Sequence, residues 1–449
     1  MKVQLKVSIE KVFLIFALFF GMLYIFITPP FQSVDEANHF YRAYSISQGN
    51  FIDKNQDGIV GNFLPDGLHR LEEKFLYLNQ NPFAKTSIKD FKEAYKIKSE
   101  KTVLTGFANT ALYSPIPYAV QTIAIKISNS LNFNPLLTFY AVRIFNLILY
   151  CFLGYWALRT IPFMRAAVFL ILLVPMNLSL AASCSTDVTL LGVSLLFVAK
   201  IFEAINKSLT IKNYLLLLVM AFVLAMTKHN VFLIPLIFLI PKEKFNGNYI
   251  LKVSGIFLTS IIPCIIWSKA IEHLYVPLNP DADMYKQINF ILNNPFKYLH
   301  VIIMTVIFKT LRLIATSVGF LGWQDTRLWF MTYILYPVAI FFSAIYSGIN
   351  NDFLSKNKKI FVILLAIVSY LFISTYLYLA WSPIGNSIII GLNGKYFTPL
   401  LLPVLTVIAL LLKNKQHKIT STIIYGMYGF SAIILTSSVI SLVCRFYIN

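Results

Sequence analysis

Apolar runs of bilayer-crossing length recur from one end of this chain to the other, and they leave few folds open to it. A hydrocarbon core about 30 Å thick takes roughly 20 helical residues. Inside it every backbone N–H and C=O needs a partner within the protein, so only helices and closed barrels span. A barrel would show short alternating segments instead of long apolar runs. Composition agrees: 57% of residues are hydrophobic and 13% charged, with mean hydropathy +0.70, where a soluble domain carries about 25% charge. The 449 residues therefore read as an all-α polytopic membrane protein, a single transmembrane domain over 1–449 with no repeat and no soluble domain.

Loop charge sets the orientation. Lys2, Lys6 and Lys11 precede the first run, and Lys/Arg-rich loops follow at Arg159 to Arg165, Lys200 to Lys212, Lys242 to Lys252, Lys356 to Lys359 and Lys413 to Lys418. Cytoplasmic loops carry that excess, so the N-terminus is expected in the cytoplasm. The net charge of +19 then marks topology and anionic headgroups, not nucleic acid. The first run ends in Thr28-Pro29-Pro30 without a small-residue cleavage site, so it reads as a retained span. The spans expected are 12–28, 138–158, 165–182, 188–204, 213–227, 230–241, 249–270, 328–348, 360–381, 397–412 and 420–443, about eleven in all. Residues 213–227 and 230–241 are short for the bilayer and read as a tight hairpin.

Two further apolar segments, 113–133 and 295–319, would reverse the parity of the charged loops if they crossed. In the first, Val120, Ile123, Ile127 and Leu131 share one helical face; in the second, Lys309 and Arg312 suit lipid poorly. Both are expected as interfacial helices on the outer side. Two large outer loops result, 29–137 and 271–327, followed by C-terminal helices in 328–449. The first loop holds the amphipathic stretches HRLEEKFLYLNQ and SIKDFKEAYKIK and is expected to be ordered on the outer leaflet. Cys151 and Cys264 fall in spans, Cys184 near a span end and Cys444 near the C-terminus, a spacing that suggests neither a disulfide framework nor a zinc site.

The first loop opens with QSVDEANHFYRAYSISQGN, which sets Asp35, Glu36, His39 and Arg42 within two helical turns of the bilayer. Ser33 and Glu36 have capping-box spacing, with Asp35 in the favoured first turn. That leaves His39 and Arg42 unexplained, on the Asp35 face at i+4 and i+7. Other outer span ends bring Asp187, then Lys228 and His229, then Gln324 and Asp325, then Asn393, Lys395 and Tyr396. A lone lysine such as Lys228 can simply snorkel. Carboxylates, cations and amides gathered on one membrane face point to function.

These residues carry a resemblance. PPFQSVDEANHFYRAYSISQGN resembles the Pro-x-x-Asp-Glu-x-x-His-Phe-x-Arg-Ala…Gly signature of the bacterial membrane family known as domain of unknown function 2142. YSPIPY (113–118), VRIFN (142–146), VPMNLSLAASCSTD (174–187), NNPFKY…GFLGWQDTRL (293–328) and GLNGKYFTP (391–399) follow in the family's order. Here Val34 stands where the family has Pro, and Asn393-Gly394-Lys395-Tyr396 where it has Gln-Gly-Arg-Tyr. That family is similar to GT-C glycosyltransferases, which use polyprenyl-phosphate sugars at the outer face and place an Asp or Asp-Glu pair in the first outer loop as the catalytic acidic position. The resemblance implies a GT-C-like fold in a bacterial cell membrane, with Asp35 and Glu36 as catalytic candidates.

Transfer of a sugar from a lipid phosphate needs a base for the acceptor hydroxyl and cations for the leaving phosphate. Asp35 is the expected base, and Arg42, Lys228 or Lys395 the phosphate contact. His39, Asp187, Gln324, Asp325, Asn393 and Tyr396 complete the expected substrate site. A divalent cation (Mg or Mn) on Asp35, Glu36 and Asp187 is a further expectation. The partners expected are the lipid-linked donor, a surface-glycan acceptor and membrane lipid. The rival readings are a polysaccharide polymerase, a lipid-linked glycan flippase and a transporter. A flippase needs charges along a mid-span path, and a transporter needs broken helices and pseudo-repeats at midplane.

Overall fold

The computed structural model describes residues 8–228, 231–277, 279–412 and 420–448. The first apolar run forms helix α1 (Ile9–Ile27), and α2 (Glu36–Ser47) follows after the Pro29-Pro30 turn. The rest of the first loop is ordered. Strands β1 (Lys54–Gln56), β2 (Ile59–Pro65) and β3 (Thr102–Gly106) form an antiparallel sheet in that order. Between β2 and β3 lie α3 (Asp66–Phe75) and α4 (Ile88–Tyr95), the two amphipathic stretches. Helix α5 (Ala108–Ala111) leads to α6 (Ala119–Ser130). At 12 residues, or about 18 Å, α6 is too short to cross, in line with its interfacial reading. Its Gln121 and Ser128 turn inward, while Ile123, Ile127 and Leu131 face away from the protein.

The membrane part continues with α7 (Pro135–Thr160), α8 (Arg165–Leu172), α9 (Pro175–Ala181), α10 (Asp187–Asn206), α11 (Ile211–Met226) and α12 (Tyr249–Ile271). After α13 (Met284–Asn293) come α14 (Pro295–Gly319), the two-residue strands β4 (Phe320–Leu321) and β5 (Thr326–Arg327), and α15 (Thr332–Ile345). Helices α16 (Lys356–Trp381), α17 (Thr398–Leu411) and α18 (Ser421–Phe446) complete the described chain. Helix α10 is the most enclosed of the long helices, packed on α7, α11 and α17.

Eight helices among the described residues are long and apolar enough to span, not eleven, and the differences have local causes. Residues 165–182 are not one span. Pro175 has no N–H to donate, and Val174 before it is extended (φ −54°, ψ 129°), so the helix stops and restarts. The carbonyls freed at the break find side chains: the Tyr336 hydroxyl donates to Leu170 O (3.0 Å), Asn177 Nδ2 to Ile171 O (2.7 Å) and the Tyr150 hydroxyl to Leu172 O (2.6 Å). Residues 230–241 form no spanning helix either. Ile234–Leu239 is a six-residue 3₁₀ turn, about 12 Å long, buried among other helices. Helices α11 and α15, with 16 and 14 residues, fall short of the bilayer.

Conversely, α14 is one continuous 25-residue helix, as long and apolar as the spans. The connection after α16 runs alongside it: Ile389 N donates to Thr305 Oγ1 and Gly394 N to Thr316 Oγ1, both at 3.0 Å. A second apolar cluster, separate from the main core, gathers there around Val301, Leu377, Tyr378 and Ile389, with Tyr396 and Phe397 packed on it.

Gly394 fixes that connection against α14, because a Cβ there would sit 1.9 Å from Leu313 O. Gly394→Ala is expected to cost about 1–3 kcal/mol by overpacking, read as a lowered melting temperature in detergent. An unchanged melt would show that the turn is free to lift.

Candidate functional site

The chain leaves α1 through Thr28, Pro29 and Pro30, and the helix-terminal carbonyls there need donors. Arg143, on α7 and fully buried, supplies them. Its Nη1 donates to Ile25 O (2.9 Å) and Thr28 O (2.7 Å), and its Nη2 to Pro29 O (3.1 Å). The other edge of the guanidinium grips Glu36, Nε to Oε1 at 2.8 Å and Nη2 to Oε2 at 2.7 Å. Cys184 N donates to the same Oε1 (3.1 Å). Glu36 is therefore buried and saturated; it neither closes a capping box on Ser33 nor is free to act on a substrate or a metal.

Arg42 is also committed. It pairs with buried Asp53 (2.6 Å) and donates to Phe51 O (2.7 Å) and Tyr113 O (2.9 Å), folding the chain after α2 back on itself. An arginine enclosed this way has no edge left for a phosphate, which removes it from the expected contacts. Asp325 and Gln324 stand apart too. Asp325 pairs with Arg445 of α18 (2.6 Å), whose Nη2 also donates to Leu78 O (2.7 Å). Gln324 sits exposed in the β4–β5 turn with φ 62°. The neighbouring Trp323 donates to Phe31 O (2.9 Å), so this motif clasps the two large loops together.

Asp187, Lys228, Lys395, His39 and Asp35 do converge. Asp187 opens α10 and holds an ammonium group on each oxygen: Lys228 contacts Oδ1, and Lys395 lies 2.9 Å from Oδ2. Lys228 follows the end of α11 in a left-handed conformation (φ 53°), its ammonium 5.4 Å from the Tyr113 ring centre. Lys395 rides on the 3₁₀ turn Gly394–Phe397, which Asn393 caps by accepting from Lys395 N (3.1 Å). Tyr396 follows on that turn, and with Asp187 and Lys395 it lines a small cleft beside Asn177 and Leu180.

Asp35 stands at the start of α2 with φ 60° and ψ 10° and makes no capping bond. The left-handed turn sends its half-buried carboxylate away from the helix. There Asn109 Nδ2 donates to Oδ1 (3.1 Å). His39 is buried, shares a 2.8 Å hydrogen bond with the Tyr118 hydroxyl through Nδ1, and stacks on Tyr113. Burial, with the Lys228 charge next, pushes its pKa down to about 3, so the imidazole is neutral. His229 lies outside the described residues.

Two lysines share the one carboxylate of Asp187, so each ammonium keeps donors that an incoming anion can accept. It does not suit a divalent metal. Of the three carboxylates expected to hold one, Glu36 belongs to Arg143 and Asp187 to two lysines, and no three His, Cys, Asp or Glu side chains group together among the described residues. Sequence reasoning gave no role to Asn109, Tyr113, Tyr118, Arg143 or Arg445. The signal for three of them was present, since Tyr113 and Tyr118 begin and end YSPIPY and Arg143 lies in VRIFN.

A family model described as "Predicted membrane protein (DUF2142)" matches residues 18–406, which include every residue of the cluster and exclude Arg445. No curated protein and no solved structure matches the chain.

Glu36→Gln leaves Arg143 buried without a counter-charge. Loss of a partner from such a pair costs about 3–5 kcal/mol, so the variant is expected to lose folded protein in size-exclusion profiles, whereas half-buried Asp35→Asn is expected to express normally. His39 adds a pH signature. The unfolded chain binds a proton near pH 6.5, while folded His39 does so only near 3. Its contribution is thus full above pH 6.5 and is lost progressively as pH falls toward 3. Melting temperatures from pH 7 to 4 should fall less steeply in His39→Gln; parallel curves would refute the assignment.

Proposed function

This chain belongs to the DUF2142 family of membrane proteins, and we propose that it is a glycosyltransferase of GT-C type. It takes a sugar from a polyprenyl-phosphate carrier at the extracytoplasmic face of a bacterial cell membrane, N-terminus in the cytoplasm, and passes it to a surface glycan. The observation that carries this reading is Asp187 bracketed by Lys228 and Lys395 at the ends of separate membrane helices.

Each group has a part in such a transfer. Lys228 and Lys395 neutralise the leaving phosphate, with Asp187 holding the two ammonium groups in place. Asp35 takes the proton of the acceptor hydroxyl as that oxygen bonds to the anomeric carbon and the bond to the phosphate oxygen breaks, which inverts the centre. Asn109 holds one Asp35 oxygen and leaves the other to the acceptor. Neutral His39 keeps a third positive charge out of the cluster. Lysine at position 395 offers a point charge where arginine would offer a bidentate fork. No step uses a metal.

In a deletion strain complemented with variants, Asp35→Asn is expected to lower incorporation of one sugar into surface glycans by ~100-fold or more at normal protein level. Lys395→Met and Lys228→Met should behave alike. Mass spectrometry of the glycans reads the outcome. Shortened chains of unchanged sugar composition would point to a polymerase, and full incorporation with asparagine at position 35 would remove Asp35 as the base.

A further inference from the structure

Helix α18 is 26 residues long, roughly 39 Å, against a hydrocarbon core of about 30 Å, so it is long enough to reach beyond the core. The last carbonyls of a helix lack partners within it. Here the first outer loop supplies them, from more than 350 residues earlier in the chain. Lys85 Nζ donates to Cys444 O (2.7 Å) and Arg445 O (3.1 Å), and Thr86 N donates to Phe446 O (2.8 Å). Arg445 answers by donating from Nη1 to Ala84 O (3.1 Å). The turn between α3 and α4 is thus fixed to the end of a helix long enough to span.

That turn is apolar where it faces outward. Phe83 is 88% exposed and Ile88 75% exposed, on either side of the Lys85–Thr86 cap. Leu76 and Tyr77 before the turn are also exposed, as is Tyr95, which shares a face of α4 with Ile88 and Lys92. Large apolar side chains this bare on an outer loop need a cover. We propose that this cover is the phospholipid surface itself: the turn inserts Phe83 and Ile88 at the headgroup–acyl boundary, a second membrane contact outside the helix bundle. The same turn reaches the cluster, because Gln32 Nε2 donates to Phe75 O (3.1 Å) and Asn79 Oδ1 (2.7 Å), three residues before Asp35. Docking on the leaflet therefore steadies the segment that carries Asp35. This inference does not depend on the reaction proposed above.

The test uses the full chain in lipid nanodiscs with Cys444 replaced by serine. Phe83→Cys and, separately, Ile88→Cys are labelled with the fluorophore NBD; both sites are exposed, so neither label disturbs the core. Glu100→Cys, whose parent side chain is 76% exposed on the same loop, is the control. Labels at 83 and 88 are expected to show blue-shifted emission, quenching by doxyl-labelled lipid and protection from aqueous iodide, with the opposite pattern at 100. Iodide quenching at 83 and 88 equal to that at 100, with no doxyl quenching, would overturn the proposal. Insertion by only one of the two positions would overturn the two-residue contact.

Discussion

The contact between Arg143 and Glu36 organises the end of the bundle where the candidate cluster sits. It joins α7 to α2, ties off the carbonyls with which α1 ends, and takes a backbone N–H from the turn before α10. Four segments that bear on the cluster are located by two side chains. Neither charge would be tolerated there alone, since a buried unpaired ion costs several kcal/mol. Each is acceptable because the fork geometry of the guanidinium meets the carboxylate on one side and three carbonyls on the other. The first reward of putting ionisable groups where the chain leaves the bilayer is architectural.

The same rule recurs with different partners. Arg42 closes on Asp53 and three carbonyls, and Arg445 on Asp325 and carbonyls of the first loop. In each case an arginine, which cannot shed its charge, is matched by one carboxylate and the free ends of backbone. The cluster at Asp187 departs from this pattern. There the cations are lysines, and two of them share one carboxylate. Three clasps are saturated, whereas the two lysines that share Asp187 keep ammonium donors to spare, which separates the groups that hold the fold from those available to a ligand.

The bundle also shows how a membrane protein spends irregular backbone. The break between α8 and α9 is buried, and Tyr150, Asn177 and Tyr336 answer its carbonyls one by one. It leads into the turn before α10, where Asn146 of α7 donates to Ser183 O and Ser185 O just ahead of Asp187. Lys395 arrives from another direction, on a turn packed against the smaller apolar cluster and against the backbone of α14. Asp187 is thus approached by lysines held in different packing environments, so its geometry reports on how the two cores meet.

The sequence by itself determined that this chain is a helical membrane protein with a structured first loop, because span-length apolar runs and amphipathic stretches are local patterns. It also put Asp35, Asp187, Lys228 and Lys395 on the candidate roster, since charges at span ends are rare enough to stand out. It did not separate these from Glu36, Arg42 and Asp325, which carry the same chemistry at similar positions. Their difference lies in what each side chain meets, and those partners (Arg143, Asp53 and Arg445) sit up to 120 residues away. Two of the expected spans are not continuous helices, for a related reason. Residues 165–182 and 230–241 are apolar enough for lipid, but they are apolar because protein encloses them, and hydropathy cannot tell an interior of side chains from one of acyl tails. Only tertiary packing decided which apolar runs cross and which charges are already paired, because both depend on contacts between segments remote in sequence.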